Sequence, residues 1–167
     1  VLKWALPILV ILSLLSAQKR WYRGNLKGMS EFTMDISITG LDDPVWDKKV
    51  KQMVLFFFDQ YKVKINPERF SPVLQLRFEI LDSRVNPVSA YNLELSVLDF
   101  HVPHNEYTDN LPEKKVIKQF KSGRIYERQV LGQTSSNILR EDMEKKLILL
   151  LDDFIDQWFR DNPIKQF

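Results

Sequence analysis

The chain has 167 residues, 44% of them hydrophobic and 12% aromatic, with a formal net charge of +2 and no cysteine. That length corresponds to about one domain, and the aromatic content excludes a disordered chain, which needs few aromatics and a large net charge. The absence of cysteine excludes disulfides, thiolate metal sites, a catalytic thiol and a lipid-modified cysteine.

The charge is unevenly placed. Of the 24 basic residues, five (Lys3, Lys19, Arg20, Arg23 and Lys27) fall in residues 1–30, which hold no acid; the remainder carries 19 bases against 22 acids. The body of the chain is therefore mildly acidic, and no basic face for nucleic acid is expected.

Trp4 to Ala17 is an uncharged run of fourteen residues that includes Ile8, Leu12 and Leu15. As a helix it covers about 21 Å of a roughly 30 Å hydrocarbon layer. A spanning helix needs about 20 apolar residues and a signal-peptide core about 7–15. Residues 1–17 thus read as a signal peptide, with Ser16-Ala17 at a possible cut, or as a membrane anchor. Lys19, Arg20, Arg23 and Lys27 directly follow and resist translocation, while Trp21 and Tyr22 suit an interfacial belt on an uncleaved anchor. Val1 in place of Met is what a bacterial GTG start read literally would give. Residues 18–30 read as a basic, glycine-containing linker.

The body then follows in order. Phe32, Met34, Ile36 and Ile38 alternate with polar residues and predict a half-buried strand. Asp43 is a candidate N-cap and Pro44 a first helical residue. Trp46, Val50, Met53, Val54, Phe57 and Tyr61 predict an amphipathic helix over 44–61, and Leu55, Phe56 and Phe58 widen its apolar stripe beyond what one sheet face requires. Val63 and Ile65 form a short strand. Two longer strands carry Leu74, Leu76, Phe78 and Ile80, then Tyr91, Leu93, Leu95 and Val97. Residues 101–114 read as a polar loop. Lys115–Lys121 and Arg124–Leu131 read as a hairpin turning at Ser122-Gly123. A final helix over about 138–161 carries Leu139, Met143, Leu147, Leu150, Leu151, Phe154 and Trp158 on one stripe, with Ser136 or Asn137 as cap and Asn162-Pro163 as stop. The order predicts an α+β fold: a two-layer α/β sandwich with a mixed or mostly antiparallel sheet of about five strands and two helices on one face. It forms a single domain over 31–163, with 164–167 as a tail.

Several constellations bear on chemistry. His101 and His104, with Glu106 and Asp109, could ligate a divalent metal, but Pro103 prevents a helix that would align them and a solvated loop explains them. Asp152 and Asp156 share a helix face, and Arg160 lies one turn on as a surface partner for Asp156. Lys115, Lys118, Lys121, Arg124 and Arg128, with Phe120 and Tyr126 among them, could touch an anionic surface or protect a sheet edge. Residues 132–137 could bind an anion at a helix start, though capping is the simpler use. No catalytic set and no cofactor motif is present, and none is expected.

The closing phrase, with Asp152, Phe154, Ile155, Asp156, Trp158, Asn162 and Pro163 at its fixed points, resembles the end of a loosely defined set of uncharacterised exported bacterial proteins. In those, a hydrophobic leader precedes an α/β domain. The element order also resembles that of the amino-terminal domain of the periplasmic protein TolB and similar envelope assembly domains. The resemblance implies a location in the envelope and no catalytic residues. The expectation is a non-catalytic envelope component, on the periplasmic side of the inner membrane, that binds another envelope protein through Leu55, Phe56 and Phe58. The alternative is a small-ligand or metal-dependent hydrolytic module using the His101/His104 loop.

Overall fold

The alternation at 32–38 becomes strand β1 (Glu31–Thr39), and Gly40, at φ 86°, turns the chain where Ile80 leaves no room for a side chain. The computed structural model describes residues 24–82, 87–102 and 120–163. Helix α1 (Pro44–Gln60) starts at Asp43, whose carboxylate accepts the Trp46 N–H at 3.0 Å. That bond, and then Arg140, hold the Asp43 carboxyl below its ordinary value. After α1 come β2 (Lys64–Ile65), β3 (Val73–Asp82), β4 (Val88–His101), β5 (Lys121–Ser135) and helix α2 (Leu139–Asp161). Asn162 closes α2.

The sheet is mixed, in the order β2-β1-β3-β4-β5. β1 runs parallel to both β2 and β3, so α1 is the crossover that a parallel pair requires. The β3, β4 and β5 strands form an antiparallel meander. Each strand offers one apolar face. Leu74, Leu76, Phe78 and Ile80 of β3 and Tyr91, Leu93, Leu95 and Val97 of β4 are buried with Trp46, Val50, Val54 and Phe58 of α1 and the stripe of α2. Phe154 sits at the centre, with Phe32, Phe58 and Tyr126 edge-on to it at 5.7, 5.8 and 5.5 Å between ring centroids. Edge-on contact sets the positive rim of one ring against the negative face of the next. The two helices are tied by Glu144, which accepts the Trp46 indole N–H at 3.0 Å and the Lys49 ammonium at 2.6 Å.

The opposite face of the sheet is polar. Gln75 donates to Asp35, Asn92 to Glu79, and Gln129 to Asn92 across neighbouring strands. The two-layer sandwich expected from the sequence is the one observed.

The structure corrects three local expectations. Ser122-Gly123 is no turn: both lie inside β5, paired with Phe100 and Asp99 of β4. A Cβ at Gly123 would lie 2.3 Å from the His101 imidazole, so a glycine that reads as a turn instead lets that ring lie across the strand. Neither Ser136 nor Asn137 caps α2, which begins at Ile138 without a side-chain cap; the Ser136 hydroxyl meets that of Ser89 at 2.7 Å. Third, residues 24–29 pack as part of the domain rather than as a linker, and Leu26 is fully buried.

Candidate interaction surfaces

The packing of residues 24–29 comes from the end of α2. Asp161 accepts the Gly24 N–H at 2.8 Å and the Leu26 N–H at 3.1 Å, while Gln157 donates to the same carboxylate at 2.8 Å. Asn162 accepts the Gly28 N–H at 2.8 Å and donates to the Leu26 carbonyl at 2.9 Å. The Trp158 indole donates to the Met29 carbonyl at 2.9 Å. Gly24 and Gly28 hold positive φ of 83° and 80°, a region glycine enters without steric cost. Three N–H groups and two carbonyls of this loop are therefore met by the final turn of α2, and the phrase Trp158…Asp161-Asn162 acts as a clamp on the chain that enters the domain.

The clamp lies at a defined end of the sheet. Thr33 pairs with Val73, Val73 with Leu98, and Leu98 with Arg124, so the start of β1, the start of β3, the end of β4 and the start of β5 share that end. Three phenylalanines there face solvent: Phe70 is 80%, Phe100 46% and Phe120 49% exposed. Phe70 and Phe100 stack at 5.9 Å with an 18° interplanar angle, and Phe100 meets Phe120 at 6.5 Å. The stack is fixed from beneath. Asp99 accepts the Ser71 hydroxyl and the Phe100 N–H, and Arg69 pairs with Glu31. The Asn66 amide first, and then Arg69, hold the Glu31 carboxyl below its ordinary value.

A second apolar surface lies on α1. Leu55 is 45% and Phe56 70% exposed, whereas Phe58 is fully buried against Phe154. The expectation that Phe58 belongs to a contact surface is thereby corrected: with the buried set at 46, 50, 54 and 58, it points into the core. Leu55 borders a groove of about 690 Å3 that also takes in Glu31, Asp59, Lys62, Lys64 and Asn66 along the β2 edge. A second concavity, also about 690 Å3, lies at the far end of the sheet beside the exposed Leu81 and Leu131.

The basic residues expected together are not on one face. Arg124, turned by a register shift between Val97 and Leu98, bonds Glu94 and Glu127 at 3.1 and 2.9 Å, while Arg128 stands opposite Leu95 beside Tyr126. Lys121 pairs with His101 in the β-ladder. Lys115 and Lys118 lie outside the described residues, as do His104 and Asp109 and the apolar segment with Trp4, Ile8, Leu12 and Leu15. His101 ends β4 rather than opening a loop. Among the described residues no group of three potential metal ligands gathers, and no helix is long and apolar enough to cross a membrane. Asp152, Asp153 and Asp156 are exposed, and Arg160 donates to the Asp156 backbone carbonyl at 3.0 Å.

Sequence periodicity missed the aromatic stack because its three rings come from three separate segments. The available signal is a lone Phe beside a cationic or imidazole side chain each time: Arg69-Phe70, Phe100-His101 and Phe120-Lys121.

No protein-family model matches the chain, and no curated protein does. Among solved structures, a minor lipoprotein from Acinetobacter baumannii is similar at 8% identity, over 84% of this chain and 90% of that one, with a TM-score of 0.27. A likeness of that size carries no argument about fold or function.

Proposed function

We propose that the chain is a bacterial envelope protein that works by binding, as a component of a membrane-associated complex, with its domain on the periplasmic side and residues 4–17 holding it to the membrane. The clamp carries this reading. The loop from Gly24, only seven residues beyond Ala17, is fixed to the domain by Asp161 and Asn162. Seven extended residues reach about 25 Å, so an anchor in the bilayer keeps the domain against it. The aromatic residues between the two, Trp21 and Tyr22, are those an interfacial belt uses.

Leu55 and Phe56 supply the surface for a protein partner, since large exposed apolar side chains next to a groove are where contacts concentrate. The test is crosslinking of the tagged full-length protein in its own cells, beside the Leu55→Ser/Phe56→Ser variant. One reproducible envelope partner, lost in the variant while the protein stays folded and abundant, is the expected result. The same set of crosslinks from both proteins would remove α1 as the binding surface, and none from either would remove the assembly role.

A further inference from the structure

We propose that Phe70, Phe100 and Phe120 dip into the lipid headgroup region, so that the domain rests on the bilayer by this end as well as being tied to it. The inference rests on the membrane-held reading above and deepens it. Three observations join. The rings are exposed, Phe70 stacks on Phe100 and Phe120 meets Phe100 at a tilt, and Ser71, Asp99 and the Arg69–Glu31 pair tie down the segments that carry Phe70 and Phe100, so the three form one cluster rather than three loose side chains. They also stand at the end of the sheet where the chain arrives from the apolar segment. Arg69, next to Phe70, pairs with Glu31, which lies two residues past the clamped loop. Finally, the chain on the approach is wholly basic: residues 1–30 contain Lys3, Lys19, Arg20, Arg23 and Lys27 and no acid.

The occupant follows from these. The seven residues from Ala17 to Gly24 reach at most about 25 Å, so a bilayer holding residues 4–17 is the surface within range of this end. Phenylalanine is among the side chains that interfacial elements bury at the headgroup–acyl boundary, and positive charge beside it favours anionic lipid. Val45, at the start of α1 just past the far end of β1, is 81% exposed and serves as an internal control.

The cysteine-free sequence makes the test direct. Single Phe100→Cys, Phe120→Cys and Val45→Cys variants of the full chain are labelled with an environment-sensitive fluorophore. They are then reconstituted in vesicles of phosphatidylethanolamine and phosphatidylglycerol, with or without nitroxide-labelled lipid. The expected result is blue-shifted emission and strong quenching at 100 and 120, with the label at 45 unaffected. Equal, water-like emission at all three sites, with the chain retained on the vesicles after an alkaline wash, would overturn the lipid contact while leaving the membrane-held reading intact. Loss of the chain in that wash would overturn both. A blue shift at 100 that lipid nitroxide does not quench, and that vanishes on dilution of protein in the bilayer, would assign the stack to a second copy of the chain instead.

Discussion

Asp161 receives three donors from parts of the chain 137, 135 and four residues away. Hydrogen bonds to a charged acceptor contribute about 1.5–3 kcal/mol each, and a buried donor left unmet carries its own penalty. Asp161→Ala should therefore cost about 3 kcal/mol or more, read as a lower urea midpoint at unchanged slope, and should open residues 24–30 to protease. Asp161→Asn keeps one acceptor oxygen and should lose less. A midpoint unchanged in the alanine variant would mean that the loop is held some other way. The aromatic centre gives a sharper number: removing the Phe154 ring, which three others meet edge-on, should cost about 3–5 kcal/mol. Tyr126 in the same cluster carries a pH signature, because burial pushes its phenol up to about 12. A raised phenol pKa means that the unfolded chain ionises first, near pH 10. Its stabilising contribution is thus complete below about pH 10 and is lost as pH climbs from there toward 12. Tyr126→Phe should flatten the fall in urea midpoint over that range, though not abolish it, since burial and then Asp142 raise Tyr91 too. An identical fall in both proteins would contradict this.

At the scale of the element, α1 separates what periodicity can and cannot tell. The predicted stripe of Trp46, Val50, Met53, Val54, Phe57 and Tyr61 is buried or half-buried as expected, and Asp43-Pro44 gives the start, but Phe58, expected at a contact surface, completes the buried row with 46, 50 and 54. The excess of Leu55, Phe56 and Phe58 over one stripe was legible, but which of them faces outward depends on where the sheet lies. Phe56→Ser should leave stability within about 0.5 kcal/mol, as exposed substitutions do, whereas Phe58→Ser places a hydroxyl in a dry aromatic contact and should unfold the domain. Comparing the two urea curves checks the assignment. The β5 strand was misread for a related reason. Ser122-Gly123 has turn composition, and the glycine instead leaves room for the His101 imidazole, which reaches over from β4. Local sequence reports propensity, while close approach between strands distant in the chain is not written in either one. The missing cap on α2 follows the same rule: the Ser136 side chain is engaged by Ser89, 47 residues away.

For the whole molecule, the alternation of apolar residues and the two helical stripes were enough to give a sheet of about five strands under two helices, because each element buries one face and only a layered arrangement satisfies all of them; that the sheet is mixed rather than mostly antiparallel is settled by the parallel pairing of β1 with β2 and β3. The surfaces were far less legible. The phenylalanine stack is built from three segments brought together by register, and the clamp joins the two ends of the described chain. The closing Asp161-Asn162-Pro163 reads in the sequence as a helix stop, and in the fold it is also what fixes the entering chain. The central claim is that residues 4–17 hold this clamped domain on the periplasmic face of a bacterial membrane. The most direct test fuses alkaline phosphatase, active only outside the cytoplasm, to the C-terminus of the full chain and assays the membrane pellet after an alkaline wash. The account predicts phosphatase activity that stays in the pellet. Activity released to the soluble fraction, or a pellet-bound fusion without activity, would contradict it.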